Sequence, residues 1–147
     1  MGCGGLFHIQ AEVKGQISHW REDGYSNNLH CEWFMEMPED SLISISYSDF
    51  NLESSIDNVC SADYVLIRNA NDDAVGPIST LPLLAKQCGT TIPSTLLLRG
   101  KRLLLVFHTN HENNYRGFKI NYEIIKEGFQ INDVFHLSFQ NLKVCNS

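Results

Sequence analysis

The chain is short of positive charge. Over 147 residues, 11 Lys and Arg stand against 17 Asp and Glu, a formal net charge of −6. A nucleic-acid binder needs a basic stripe, and none is present. The acidic balance fits a surface that meets cations or basic partners. No apolar run reaches roughly 18 residues, so no membrane span is predicted. No Cys-x-x-Cys pair occurs, which removes the usual zinc-ribbon and thioredoxin signatures. No Gly-x-Ser-x-Gly or other nucleophile motif occurs, and the six histidines are scattered, so the chain is read as non-enzymatic. No segment keeps a helical period over roughly 11 residues. Met1-Gly2-Cys3 leads straight into ordinary sequence without a leader pattern, so a secreted form is expected to be a mature chain or a fragment.

What is present is a globular composition, 43% apolar and 19% charged, long enough for one domain with a core. Strand patterns dominate. Leu42 to Tyr47 alternates strictly, with Ile43, Ile45 and Tyr47 on one face. Gly117 to Ile124 does the same with Phe118, Ile120, Tyr122 and Ile124. Cys31 to Met37 reads as a strand stopped by Pro38-Glu39-Asp40, and Asp63 to Arg68 as another. Arg99-Gly100-Lys101 reads as a hairpin-like turn between Leu96–Leu98 and Leu103–Phe107. Leu103 to Phe107 is apolar on both faces and is expected to be central. About nine short strands with frequent turns predict a two-sheet antiparallel β-sandwich.

Five cysteines stand at 3, 31, 60, 88 and 145. The first four are evenly spaced, and sequential pairing would close two loops of similar length, each bridge contributing about 3 to 4 kcal/mol in a loop-entropy model. The other reading is four buried reduced cysteines. Bridges would place the chain in an oxidising compartment. Cys145 is left over.

The stretch Phe50 to Ile67 sets two carboxylates, Glu53 and Asp63, around Cys60 and beside apolar strands. Carboxylates in such places are solvated turn residues, or they hold a cation that offsets their charge.

Taken together, Cys3-Gly4-Gly5, Cys31-x-Trp33, Phe50-x-Leu52-Glu53, Cys60-x-x-Asp63-Tyr64-Val65-x-Ile67, Cys88-Gly89, Pro93, Phe107 and Gly117-Phe118-x-x-x-Tyr122 resemble the CUB domain. The resemblance covers residues 3–124, with 125–147 left as a C-terminal extension. The family's SPNYPxxY loop is degraded here: Ser18-His19-Trp20-Arg21-Glu22-Asp23-Gly24-Tyr25 keeps its ends and loses its prolines. The resemblance implies a jelly-roll-like sandwich, the sequential bridges Cys3–Cys31 and Cys60–Cys88, and an extracellular, non-catalytic recognition module.

It also implies calcium at one end of the sandwich. The family's ligands are a glutamate, two aspartates and loop carbonyls, steadied by a tyrosine. These fall on Glu53, Asp63 and Asn110, with Glu112 as a partial substitute and Tyr25 as support. Asn110 stands where the second aspartate is usual, so a calcium here is expected to be weak. Without the metal, Glu53 and Asp63 should repel, and at least one should have a raised pKa. In the family this end receives a basic side chain of a protein ligand, which implies a Lys or Arg meeting Glu53, Asp63, Asn110 and His111.

Two other readings are weaker. His108-x-x-His111-Glu112 is only half a zinc set. An immunoglobulin domain would need its Trp midway between bridged cysteines, and Trp33 follows Cys31 by two. An assembly role stays open beside recognition. In it, Cys145 and the alternating tail Phe129, Ile131, Phe135, Leu137 and Phe139 tie the domain to another chain or domain, by a disulfide or by the tail itself, beside a protease domain among other settings.

Overall fold

A computed structural model describes residues 3–9, 13–56, 59–71, 77–125 and 142–146. Its strands are β1 (Gly5–His8), β2 (Lys14–Trp20), β3 (His30–Asn51), β4 (Tyr64–Asn69), β5 (Leu83–Gln87), β6 (Thr95–His108), β7 (Gly117–Ile125) and β8 (Leu142–Asn146). One 3-10 turn covers Ile78–Thr80.

The architecture follows from two long strands. The first half of β3 pairs with the second half of β6, Cys31 opposite Phe107 and Trp33 opposite Leu105. That layer continues through β4 to β5, and β1 lies parallel on its other edge, Gly5 opposite Trp33. The second half of β3 pairs with β7, Ile45 opposite Tyr122, and with the start of β6. β2 flanks β7, and β8 runs parallel to β6. The ladder is continuous, but β3 and β6 pass from one layer to the other. The result is the expected two-sheet β-sandwich, antiparallel except for β1–β3 and β6–β8.

The described residues hold eight strands beside the expected nine or so, and two of them are not short: β3 runs for 22 residues and β6 for 14. Pro38-Glu39-Asp40 does not end its strand. It forms a bulge between Glu36 and Ser41, with Asp40 at φ +62°, and the exposed Pro38 gives up no ladder bond. Arg99–Lys101 is likewise no turn: Gly100 lies opposite Ser41, inside β6. A stop signal in the sequence thus marks the bend where each strand changes layer. The odd-numbered tail pattern from Phe129 to Phe139 lies outside the described residues.

The core sits between the layers. Trp33, Met35, Ile43, Ile45, Tyr47, Leu98, Leu105, Phe107, Phe118 and Ile120 are all buried there. β6 is central, between β3 and β4. Its Leu105 and Phe107 face the core, while Leu104 and Val106 pack outward with Leu66 and Ala70, under Phe34, Tyr64 and Leu81. Both bridges form: Cys3–Cys31 ties the N-terminal segment to the start of β3, and Cys60–Cys88 ties the segment before β4 to the end of β5. Among the described residues, no helix is long and apolar enough to cross a membrane.

Strand ends converge at one pole. The end of β2 pairs with the start of β7, and so does the end of β3, while the starts of β3 and β4 flank the end of β6. Tyr25, Glu53, Asp63 and the segment 109–116 all belong to this pole.

Candidate functional site

Asp63 immediately precedes β4 and has no exposed surface at all. A carboxylate so placed must be paired by hydrogen bonds. It is: the Tyr25 hydroxyl donates to Oδ2, and the Asn110 main-chain N–H donates to Oδ1 at 2.7 Å. Burial raises the Asp63 pKa. The bonds from Tyr25 and Asn110 oppose this, and the charge of Glu53 adds to it. The expected raised carboxylate is therefore Asp63, but its main cause is burial rather than repulsion.

Tyr25 is held as firmly. It is buried, its ring meets Phe107 edge-on at 5.4 Å, and its N–H donates to the Tyr115 carbonyl at 2.8 Å. Burial and the Asp63 carboxylate push its hydroxyl well above the usual tyrosine range, so it stays a donor. The same oxygen accepts from the Glu53 N–H at 3.3 Å. Tyr25 thus joins Glu53 to Asp63.

Glu53 follows β3 and is half-buried. The Asn110 side-chain amide donates to its Oε1 at 3.0 Å, and the Asn113 amide donates to its Oε2. Asn110 is oriented from both ends, because its Oδ1 accepts the Glu112 N–H at 3.0 Å. Its carbonyl accepts from Asn28 N–H at 2.8 Å. Asn113 sits at φ +58°, a conformation that suits asparagine and aims its amide back at Glu53. Buried Thr109 locks the neighbouring loop: its hydroxyl accepts from the Leu29 N–H at 2.7 Å and donates to the Ser26 carbonyl at 2.9 Å.

The structure therefore brings together Tyr25, Glu53, Asp63 and Asn110. Glu112 enters through its main chain, with an exposed side chain, and His111 is exposed as well. Among the described residues, neither side chain shares a hydrogen bond with Glu53 or Asp63. The side chains of Asn113 and Thr109 were not foreseen. The signal for Asn113 was a loop dense in asparagine, 110, 113 and 114, just after a strand.

As arranged, the donor set does not fit a resident calcium. Asn110 turns N–H, not oxygen, toward Glu53, which sets donor groups where a cation would need oxygen ligands, while Glu53 keeps outward lone pairs for a further hydrogen-bond donor. Among the described residues, no group of three or more His, Cys, Asp and Glu comes together. The weak calcium site implied by the resemblance requires the Asn110 amide to reverse.

A family model described as the CUB domain matches residues 3–122. Canine (Canis lupus familiaris) cubilin is 31% identical over 134 residues, which is 89% of this chain and 4% of cubilin. Human tolloid-like protein 1 is 29% identical over 127 residues, 84% of this chain and 12% of that protein. Of solved structures, the CUB1-EGF-CUB2 domain of human MASP-1/3 superposes with a TM-score of 0.66 at 23% identity, covering 85% of this chain and 43% of that one. The MASP-1 CUB2 domain bound to Ca2+ gives 0.65 at 18% identity, covering 82% of this chain and 98% of that one. The chain thus spans a small fraction of these curated relatives' lengths, and the structural likenesses speak to the fold.

Proposed function

The chain belongs to the CUB domain family, and on that premise we propose that it is an extracellular, non-catalytic protein-recognition module whose acidic pole takes a basic side chain of a protein ligand. The observation that carries this is Glu53, a half-exposed carboxylate fixed by two amides at the pole. A fixed carboxylate accepts a charge-assisted bond without first paying to be ordered. Asn110, which donates to Glu53, and His111, the exposed residue after it, are the further contacts this reading assigns, with Asp63 holding the Asn110 main-chain N–H. The two disulfides and the family support an extracellular setting. The recognition unit is residues 3–124, with 125–147 as its extension. Calcium at Glu53, Asp63 and Asn110, with Glu112 nearby, would have only two carboxylates to draw on and would need the Asn110 amide reversed; recognition through Glu53 does not depend on it.

The test is a nitrogen-15 NMR titration with the capped amino acids N-acetyl-lysine methylamide and N-acetyl-arginine methylamide. Shifts confined to Glu53 and residues 110–114, lost in Glu53→Gln, support the reading. Shifts spread over the sheets, or unchanged in Glu53→Gln, sink it.

A second reading is an assembly segment that contacts its partners through the sheet faces and the Cys145 tail. The favouring observation is β8, which contains Cys145 and pairs along β6. Free-thiol titration and non-reducing electrophoresis test it: a covalent dimer or a missing thiol favours assembly, and one free thiol in a monomer favours a truncated neighbour and counts against a covalent role for Cys145.

A further inference from the structure

We propose that Asn110 and Asn113 do at this pole what a bound cation would do, so that the loops are ordered without metal. Two carboxylates side by side need their charge offset. Here the offset is built from the chain itself. Glu53 receives one amide on each oxygen, from Asn110 at 3.0 Å and from Asn113. Asp63 receives the Tyr25 hydroxyl and the Asn110 main-chain N–H. Asn110 donates to both carboxylates, once from its side chain and once from its backbone, and so bridges them. Its amide faces Glu53 with N–H because Glu112 N–H holds the oxygen on the other side. Asn113 reaches Glu53 only from its left-handed backbone conformation, φ +58°. The same segment is pinned to its neighbours through Asn28 N–H, Leu29 N–H and the Ser26 carbonyl. An aspartate at 110 would lose the side-chain donor and set a third carboxylate against Glu53. That arrangement suits a hard divalent cation and is strained without one.

The proposal concerns the pole read above as the contact face. It rests on that reading for its use, but its test needs no partner. Thermal melts and calorimetric titrations are run with calcium chloride and with EGTA, on the wild type, Asn110→Asp and Asn113→Gly. The wild type is expected to melt at the same temperature in both media and to give no binding heat at millimolar calcium. Asn110→Asp is expected to melt lower than the wild type in EGTA, to recover in calcium, and to bind calcium at least about tenfold tighter. Asn113→Gly keeps the backbone conformation, loses one amide, and should melt lower in both media. A wild type that calcium stabilises overturns the proposal. So does an Asn110→Asp protein indifferent to calcium, or an Asn113→Gly protein as stable as the wild type. Loss of the lysine and arginine response in the NMR titration would sink the recognition reading and leave these melts untouched.

Discussion

The space between the sheets and the acidic pole are held together by different means. In the core, apolar side chains from β2, β3, β4, β6 and β7 bury one another, and the stabilisation is spread over many contacts without direction. At the pole, order rests on a short chain of directed bonds through Tyr25, Asp63, Asn110 and Glu53, in which each donor has one acceptor. The core therefore tolerates exchange among residues of similar volume, whereas the pole tolerates almost none at its linking positions. The two regions meet at Phe107, whose ring packs on Phe118 at 5.2 Å and on Tyr25 at 5.4 Å.

Phe107→Ala breaks the comparison at that junction and carries the largest expected effect. A fully buried aromatic cut to alanine costs about 3 to 5 kcal/mol. Urea unfolding should show that loss, together with exchange broadening of the Tyr25 loop in NMR spectra. Phe107→Leu should keep most of the stability and still loosen the loop. If it leaves the loop as rigid as before, the pole does not lean on the core. Asp63→Ala acts from the other side. It strands the Tyr25 hydroxyl and the Asn110 N–H, at about 1 to 3 kcal/mol by the same measurement. The sheet resonances should stay in place while those of residues 25–29 and 109–116 move.

This difference also explains what the sequence disclosed. The alternation at Ile43, Ile45 and Tyr47, and at Phe118, Ile120 and Tyr122, exposed the core, because a period of two is set by the pleat itself. The even cysteine spacing matched the two bridges. What stayed hidden depends on more than local pattern. Pro38-Glu39-Asp40 carries every sign of a stop, yet pairing on both sides of it, with β1 and then β7, carries β3 through the bulge. At the pole, carboxylates beside apolar strands singled out Glu53 and Asp63, and the family resemblance added Asn110 and Tyr25. The direction of the Asn110 amide, and the return of Asn113 from a left-handed turn, exist only once Glu112 and Glu53 are in place.

Asn113→Gly tests how far the directed bonds at the pole act singly. It removes one amide from an exposed position, and the expected cost is about 1 kcal/mol. Paired with Asn110→Ala in a double-mutant cycle, it should show coupling, since both amides order one carboxylate. Additive losses would mean that Glu53 is placed by its backbone alone.

The smallest effect concerns a directed group at the edge of the core, a half-buried histidine packed on Phe107. His19 lies on β2 with its ring tilted against Phe107 at 5.4 Å, and among the described residues its buried Nε2 has no hydrogen-bond partner. Burial lowers its pKa, and the nearby positive charge of Arg21 lowers it further. The folded protein therefore binds the proton less readily than the unfolded chain. As pH falls below the ordinary imidazole value of about 6.5, the unfolded state takes up the proton first and stability drops. Above that value both states are neutral, and this contribution no longer changes. His19→Leu removes both the orphaned nitrogen and the proton linkage. It should melt slightly higher than the wild type at neutral pH and increasingly higher as the solution is made acidic. An advantage that stays constant with pH would show that His19 titrates in the folded protein as it does in the unfolded one, and that the core accommodates its charge.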